Sequence, residues 1–160
     1  MLEFQHIIQI NDPAEPHIPH MSKAQLWEGL VFRSKYPAHF TPNIACSVDE
    51  ISENGFVRTL LFGEQSLRER VVLIHEEQVH TSPADADPVF FAESIARIEE
   101  PAPGHLIVRF TYRRESGNTE DNLDVDEYLK SAYVQNDREA IALLRKFSRE
   151  GLPIGDSRLQ

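Results

Sequence analysis

Hydrophobic and polar positions divide the chain into an alternating start, an amphipathic helix, a long run of period-two segments and a second, longer helix. Residues 4–10 alternate, with Phe4, His6, Ile8 and Ile10 on one side and Gln5, Ile7 and Gln9 on the other, the pattern of a strand. Pro13, Pro16 and Pro19 follow within ten residues, where missing donors and a fixed φ exclude both helix and ladder. Ser22 is then placed as an N-cap, with Gln25 to complete a capping box and Met21 with Leu26 to form a hydrophobic staple. Leu26, Trp27, Leu30, Val31 and Ser34 form the stripe of this helix, which Pro37 stops after Tyr36; residues 37–40 suit a short second helical turn.

From Asn43 the period is two. Strands are predicted over 44–51, 55–62, 66–75, 78–82, 89–99 and 105–114. Turn signals separate them at Glu53-Asn54-Gly55, Gly63-Glu64-Gln65, Pro83 to Pro88, and Pro101-Ala102-Pro103-Gly104. Turns this short make consecutive strands antiparallel neighbours, so a meander is expected. The polar stretch Glu115 to Asp121 reads as a loop. Beyond it, Asp124 with Glu127 forms a cap signature, and Asp126 adds charge that suits the helix dipole. Arg145, Lys146 and Arg149 do the same at the far end, and Gly151 and Pro153 mark the stop. Val125, Leu129, Ala132, Tyr133, Asn136, Ala140, Leu143, Leu144 and Phe147 recur at spacings of three and four. A helix over 125–149 is about 37 Å long, enough to cross a small domain. The expected organisation is one domain over 1–151 with a flexible tail over 152–160.

Strand, helix, six strands, long helix is an α+β order that prunes the folds. Doubly wound sheets need a helix between most strands. A lipocalin-type barrel has no helical excursion after its first strand, and a cone-shaped fold of the nuclear-transport-factor kind begins with its helices. What remains is a curved antiparallel sheet of about seven strands wrapped on a long C-terminal helix.

Charge and cysteine content narrow the partners. Acidic side chains outnumber basic ones 26 to 16, for a formal charge of −10, which repels a phosphate backbone or an anionic bilayer. No nucleic acid and no stable membrane insertion are expected. The single cysteine, Cys46, precludes an internal disulfide and fits a reducing compartment. The first residues lack a basic segment followed by an apolar one, so a cytoplasmic setting is expected.

The pieces Ile8-Gln9-Ile10-Asn11-Asp12-Pro13, Gln25-Leu26-Trp27-Glu28-Gly29-Leu30, Leu67-Arg68-Glu69-Arg70-Val71, Ile98-Glu99-Glu100-Pro101-Ala102-Pro103-Gly104 and Glu127-Tyr128-Leu129-Lys130-Ser131-Ala132-Tyr133 resemble the AtaL-like family. That family belongs to the helix-grip (SRPBCC) superfamily of START lipid-transfer domains, pollen-allergen-like proteins and polyketide aromatase/cyclases. The resemblance spans about residues 4–147. It implies a helix-grip fold with a ligand cavity and no defined reaction, because these are not catalytic motifs.

A cavity fold needs an apolar inner face with a few orienting polar groups. In 105–113, Leu106, Val108, Phe110 and Tyr112 face inward; in 67–73, Leu67, Glu69, Val71 and Leu73 do; in 56–62, Phe56, Arg58, Leu60 and Phe62 share a face. A hairpin turning at Glu64-Gln65 sets Leu60 opposite Glu69 and makes Arg58 a diagonal neighbour of Glu69. Buried separately, these charges are costly; they persist as a pair or by binding a polar ligand group, or else the register differs and both sit in water. Trp27, Tyr112, Tyr128 and Tyr133 offer aromatic bodies with polar tips, and Asn136 interrupts the last helix's stripe. The ligand-binding set is therefore Trp27, Arg58, Phe62, Glu69, Phe110, Tyr112, Tyr133 and Asn136. No catalytic residue, metal or cofactor is assigned. His17 and His20 lack a third ligand, and His75 and His80 are five apart in strand and turn rather than four apart on a helix. Cys46 opens a strand and reads as a small buried hydrophobe.

The function expected is a binding or carrier protein for a hydrophobic, lipid-like or polyketide-like small molecule, as monomer or homodimer. The alternatives are a cyclase/aromatase-like enzyme, in which Arg58, Glu69 or a tyrosine moves protons, and a stress-related interaction domain without a ligand.

Overall fold

The computed structural model describes residues 1–86, 90–116 and 123–153. Strand β1 (Leu2–Asn11) leads through the proline segment into helix α1 (Lys23–Lys35) and a 3-10 turn at Pro37–His39. Strands β2 (Ala45–Ser52), β3 (Gly55–Phe62), β4 (Gln65–Ile74), β5 (Gln78–Pro83), β6 (Phe90–Ala102) and β7 (His105–Ser116) follow, and helix α2 (Leu123–Glu150) closes the chain. The strands form one antiparallel sheet in the order β1-β7-β6-β5-β4-β3-β2. Six strands run as the expected meander, and β1 returns to pair with β7, which separates it from β2 by the full width of the sheet.

Local chemistry sets the ends of α1. The Gln25 backbone N–H donates to Ser22 Oγ at 3.0 Å, and the Ser22 N–H donates to Gln25 Oε1 at 2.9 Å, the reciprocal capping box. The preceding loop is pinned by Asn11, whose Nδ2 donates to the Met21 carbonyl (2.7 Å) and whose Oδ1 accepts from the Met21 N–H (3.0 Å). Arg145 on α2 holds the same loop by donating to the carbonyls of Pro19 (2.9 Å) and Ile10 (2.7 Å). Within the segment, the Glu15 N–H donates to the Asp12 carbonyl (2.9 Å) and the Ile18 N–H to the Glu15 carbonyl (3.1 Å), and these side chains add the bonds that the prolines cannot donate.

Three expectations need correction. The β3–β4 hairpin turns on two residues, Gly63 and Glu64, with Phe62 opposite Gln65. Gly63 takes φ 62° at the first central position, where a tight hairpin demands positive φ. Leu60 therefore faces Leu67, and Arg58 lies directly opposite Glu69 instead of diagonally. In α1 the buried set includes Gly29 and Phe32. Phe32 is clasped by Tyr36, Phe40 and Phe147, whereas Val31 is only half-buried. In α2 the seam runs through Tyr133, Asp137, Ala140, Ile141, Leu144 and Phe147, while Val125, Tyr128 and Asn136 are exposed. Helix α2 starts at Leu123, and the side chain of the expected cap, Asp124, lies outside the described residues, as do positions 117–121 of the expected loop and 154–160 of the expected tail.

The apolar core draws on six strands and both long helices. Ile10, Ile98, Leu106 and Val108 pack against Leu26, Trp27 and Leu30 of α1 and Ile141 and Leu144 of α2. One helical turn toward the N-terminus of α2, the interior opens.

Candidate functional site

The opening comes from side-chain size. Ser94 on β6 pairs with Tyr112 on β7 and with Thr81 on β5; Ala96 pairs with Phe110 and with Val79. Two small residues thus sit in the middle of the sheet's inner face, between large ones on β7 and medium ones on β5. The volume they leave unfilled is a cavity of about 270 Å3, bounded by the sheet, α1, the 3-10 turn and α2.

Five of the eight residues expected at a ligand site line this cavity: Arg58, Phe110, Tyr112, Tyr133 and Asn136. Tyr133 lies flat on Tyr112, with ring centroids 3.9 Å apart and planes within 5°, and Asn136 stands exposed beside it. The other three lie elsewhere. Trp27 is buried in the α1 side of the core, its ring edge against His75. Phe62 is exposed at the end of β3. Glu69 is buried behind Arg58 and is absent from the lining.

Arg58 and Glu69 do form an ion pair. Arg58 Nε and Nη2 both donate to Glu69 Oε1, at 3.0 and 2.8 Å, and Nη1 donates to the Ser34 carbonyl at the end of α1 (2.9 Å). The guanidinium thus ties α1 to the sheet while presenting its remaining edge to the cavity. Cys46, opposite Leu60 on β2, is half-buried beside this pair; burial pushes its thiol above the usual range, only partly offset by the Arg58 charge.

A second polar cluster, built on a carboxylate absent from the expected set, forms the opposite wall. Asp137 on α2 is fully buried. Its Oδ1 accepts from Arg33 Nη1 at 2.9 Å, and its Oδ2 lies 2.7 Å from His6 Nε2 and accepts a short hydrogen bond from the Tyr112 hydroxyl. Four elements converge here: β1, α1, β7 and α2. Three partners on one carboxylate compensate for taking it out of water. Burial, and then the negative charge of Asp137, hold the Tyr112 hydroxyl far above the normal tyrosine range, so Tyr112 stays neutral and serves as a donor.

His6, Arg33 and Asp137 escaped the sequence reading for different reasons. His6 stood on the correct inner face but only as a member of an apolar alternation. Arg33 sits near the end of α1, where a basic residue is explained by the dipole alone. Asp137 had one usable signal, its spacing of four from both Tyr133 and Ile141, which places it on the seam that Asn136 misses.

Among the described residues no helix is long and apolar enough to cross a membrane, and no cluster of three or more histidine, cysteine or acidic side chains is arranged to hold a metal ion.

Structural likeness extends over most of the chain at low identity. StfQ, a di-domain ARO/CYC from the steffimycin biosynthetic pathway, aligns with a TM-score of 0.67 and 12% identity over 92% of this chain and 51% of its own. The chain thus spans about half the length of that protein. The Zhui aromatase/cyclase from Streptomyces sp. R1128 aligns with a TM-score of 0.60 and 12% identity, covering 92% and 93% of the two chains. A START superfamily protein from Mycobacterium smegmatis gives a TM-score of 0.60 and 13% identity over 87% and 93%. At such identities the likeness establishes the helix-grip fold and nothing finer. No curated protein matches the chain by sequence. A family model described as acetylaranotin biosynthesis cluster protein L, AtaL, matches residues 8–151. With that match running over nearly the whole chain, and the sheet and closing helix arranged as in the helix-grip proteins, the chain belongs to the AtaL family.

Proposed function

We propose that the chain binds a small hydrophobic or aromatic molecule between its sheet and α2, as a carrier or binding protein. The observation that carries this reading is the cavity of about 270 Å3 with the stacked Tyr112 and Tyr133 on its wall. Ligand sites run upward from about 300 Å3, so this space suits a molecule of one to three rings better than a two-chain lipid. Aromatic faces supply dispersion and offset stacking at low entropy cost, and the arginines and hydroxyls around them supply orientation. The likeness to StfQ and Zhui, both aromatase/cyclases, supports a conjugated cargo.

Native mass spectrometry of chain purified from its own host under non-denaturing conditions tests the reading. The expected result is a noncovalent adduct of small-molecule mass that raises the melting temperature. Saturation at about 100 times Kd adds about 2.7 kcal/mol of stability. A consistently bare protein that no aromatic probe stabilises overturns the reading and favours an interaction domain without a ligand.

The enzymatic alternative, a cyclase/aromatase-like activity, rests on Asp137 and Tyr112 sharing the cavity wall. Glu69 is poorly disposed for it, because Arg58 stands between its carboxylate and the cavity. The Tyr112 hydroxyl gives its one hydrogen to Asp137 and is held far above the normal tyrosine range, so it is neither a base nor a ready acid at ordinary pH unless a substrate displaces Asp137. Turnover of a conjugated substrate that is lost in Tyr112→Phe with binding retained would establish the alternative.

A further inference from the structure

Arg33 is only partly used by the protein. Its Nη1 donates to Asp137 Oδ1 at 2.9 Å, while no described residue accepts a hydrogen bond from Nε or Nη2. Three arginines of this chain grip an acceptor through the Nε/Nη2 edge, Arg58 on Glu69, Arg109 on Glu99 and Arg97 on Gln78, whereas Arg145 and Arg68 bond through Nη groups alone. In Arg33 that edge is open, and the residue lines the cavity. The anchoring bond to a fully buried carboxylate fixes the guanidinium, and Phe40 lies against it with the ring centroid 6.0 Å from Cζ. A planar fork held in place loses little entropy when it binds a second partner.

The charges around the cavity point the same way. Two guanidiniums, Arg33 and Arg58, line it, against a single carboxylate, Asp137, among the described residues. Both Asp137 oxygens are occupied, Oδ1 by Arg33 and Oδ2 by His6 and Tyr112. The wall therefore has unused donors and no comparably unused anionic acceptor.

We infer that Arg33, positioned by Asp137, is the anchor for a carboxylate on an aromatic ligand, whose ring lies in the space between Phe40, Phe110 and Tyr133. This deepens the proposed binding role and rests on it. The open fork is a bidentate site for a planar oxyanion, and the neighbouring rings give the attached aromatic body its platform. Arg33 binds and orients the ligand, and no bond is made or broken.

Isothermal titration of the full chain with 2-naphthoate and with 2-naphthylmethanol separates the two layers of the argument. The probes share a ring system and differ in charge. The native chain is expected to bind the naphthoate at least about tenfold tighter, and Arg33→Gln is expected to erase that preference while changing the affinity for the alcohol by less than about threefold. Because Arg33→Gln leaves Asp137 short of a donor, the double variant Arg33→Gln/Asp137→Asn is titrated alongside it; it removes both charges together and keeps an acceptor for Tyr112. Equal binding of the two probes by the native chain, or a preference that survives in either folded variant, overturns the role of Arg33 and leaves the cavity reading standing. Failure of both probes to bind overturns both.

Discussion

Asp137 has no apolar surface to contribute, yet it is fully buried where four elements meet. A carboxylate is stable there only because each donor aimed at it is in place, so removing it strands Arg33 and His6 together. Asp137→Ala is expected to cost about 3–5 kcal/mol, and Tyr112→Phe, which removes one donor of three, about 1–3 kcal/mol; urea denaturation measures both. The phenol also predicts an alkaline limit. In the unfolded chain a tyrosine ionises near pH 10, whereas in the folded chain burial and Asp137 keep Tyr112 protonated well above that. A pKa raised by folding adds stability that is fully present below about pH 10 and is lost as pH rises beyond it. Ultraviolet titration should find that, of the four tyrosines, Tyr112 ionises only on unfolding, and that Tyr112→Phe makes stability fall less steeply above pH 10. At this scale the sequence was partly legible. Arg58 and Glu69 were correctly set on one inner face, because alternation in two strands decides faces without any three-dimensional knowledge. Their exact opposition was not, because it depends on whether the turn uses Gly63-Glu64 or Glu64-Gln65, a one-residue shift that moves the register by two and leaves every side chain on the same face.

The elements show where local signals are strong and where packing overrides them. The start of α1 was readable to the residue because a capping box is a short-range motif whose four groups lie within four positions. The inner face of α1 was less so, because Gly29 carries no side chain to announce its burial. A Cβ at Gly29 would stand 2.9 Å from both Leu144 methyl carbons, and Leu144 is itself buried. The two helices approach closely at this point because the residue is glycine. Gly29→Val is expected to force them apart and cost about 1–3 kcal/mol, whereas Gly29→Ala should be milder, since the helix gains about 1 kcal/mol of propensity against a smaller clash. Thermal unfolding of the two variants checks the order. The seam of α2 was misread by one residue for a related reason. A rule that puts apolar residues inside passes over Asp137, spacing alone admitted its neighbour Asn136, and only the partners on β1, α1 and β7 make the acid tolerable there.

Over the whole molecule, a packed apolar core borders a cavity of about 270 Å3, and Leu30, Val79 and Phe110 belong to both. Leucine, isoleucine and valine from both helices and five strands fill the core, while Ser94 and Ala96 leave space against Tyr112 and Phe110. An unfilled interior forgoes dispersion contacts that a larger side chain would supply. If the hollow is kept for a ligand, filling it should stabilise the protein while destroying its binding. Ala96→Leu is therefore expected to gain about 0.5–2 kcal/mol in thermal denaturation and to abolish naphthoate binding by calorimetry. A destabilised variant that still binds would mean that the space around Ala96 is not the ligand's.

What the amino-acid order determined by itself was the sequence of elements, the face that each strand turns inward, and the capping of α1. These follow from periodicity, proline, glycine and hydrogen bonds within a few residues, all of which are properties of neighbouring positions. Only the tertiary structure decided which inward residues meet. Arg33, His6, Tyr112 and Asp137 are separated by up to 131 positions, and the hollow exists because small residues on β6 stand beside large ones on β7. Both depend on distances across the sheet and between sheet and helices, which no local pattern encodes.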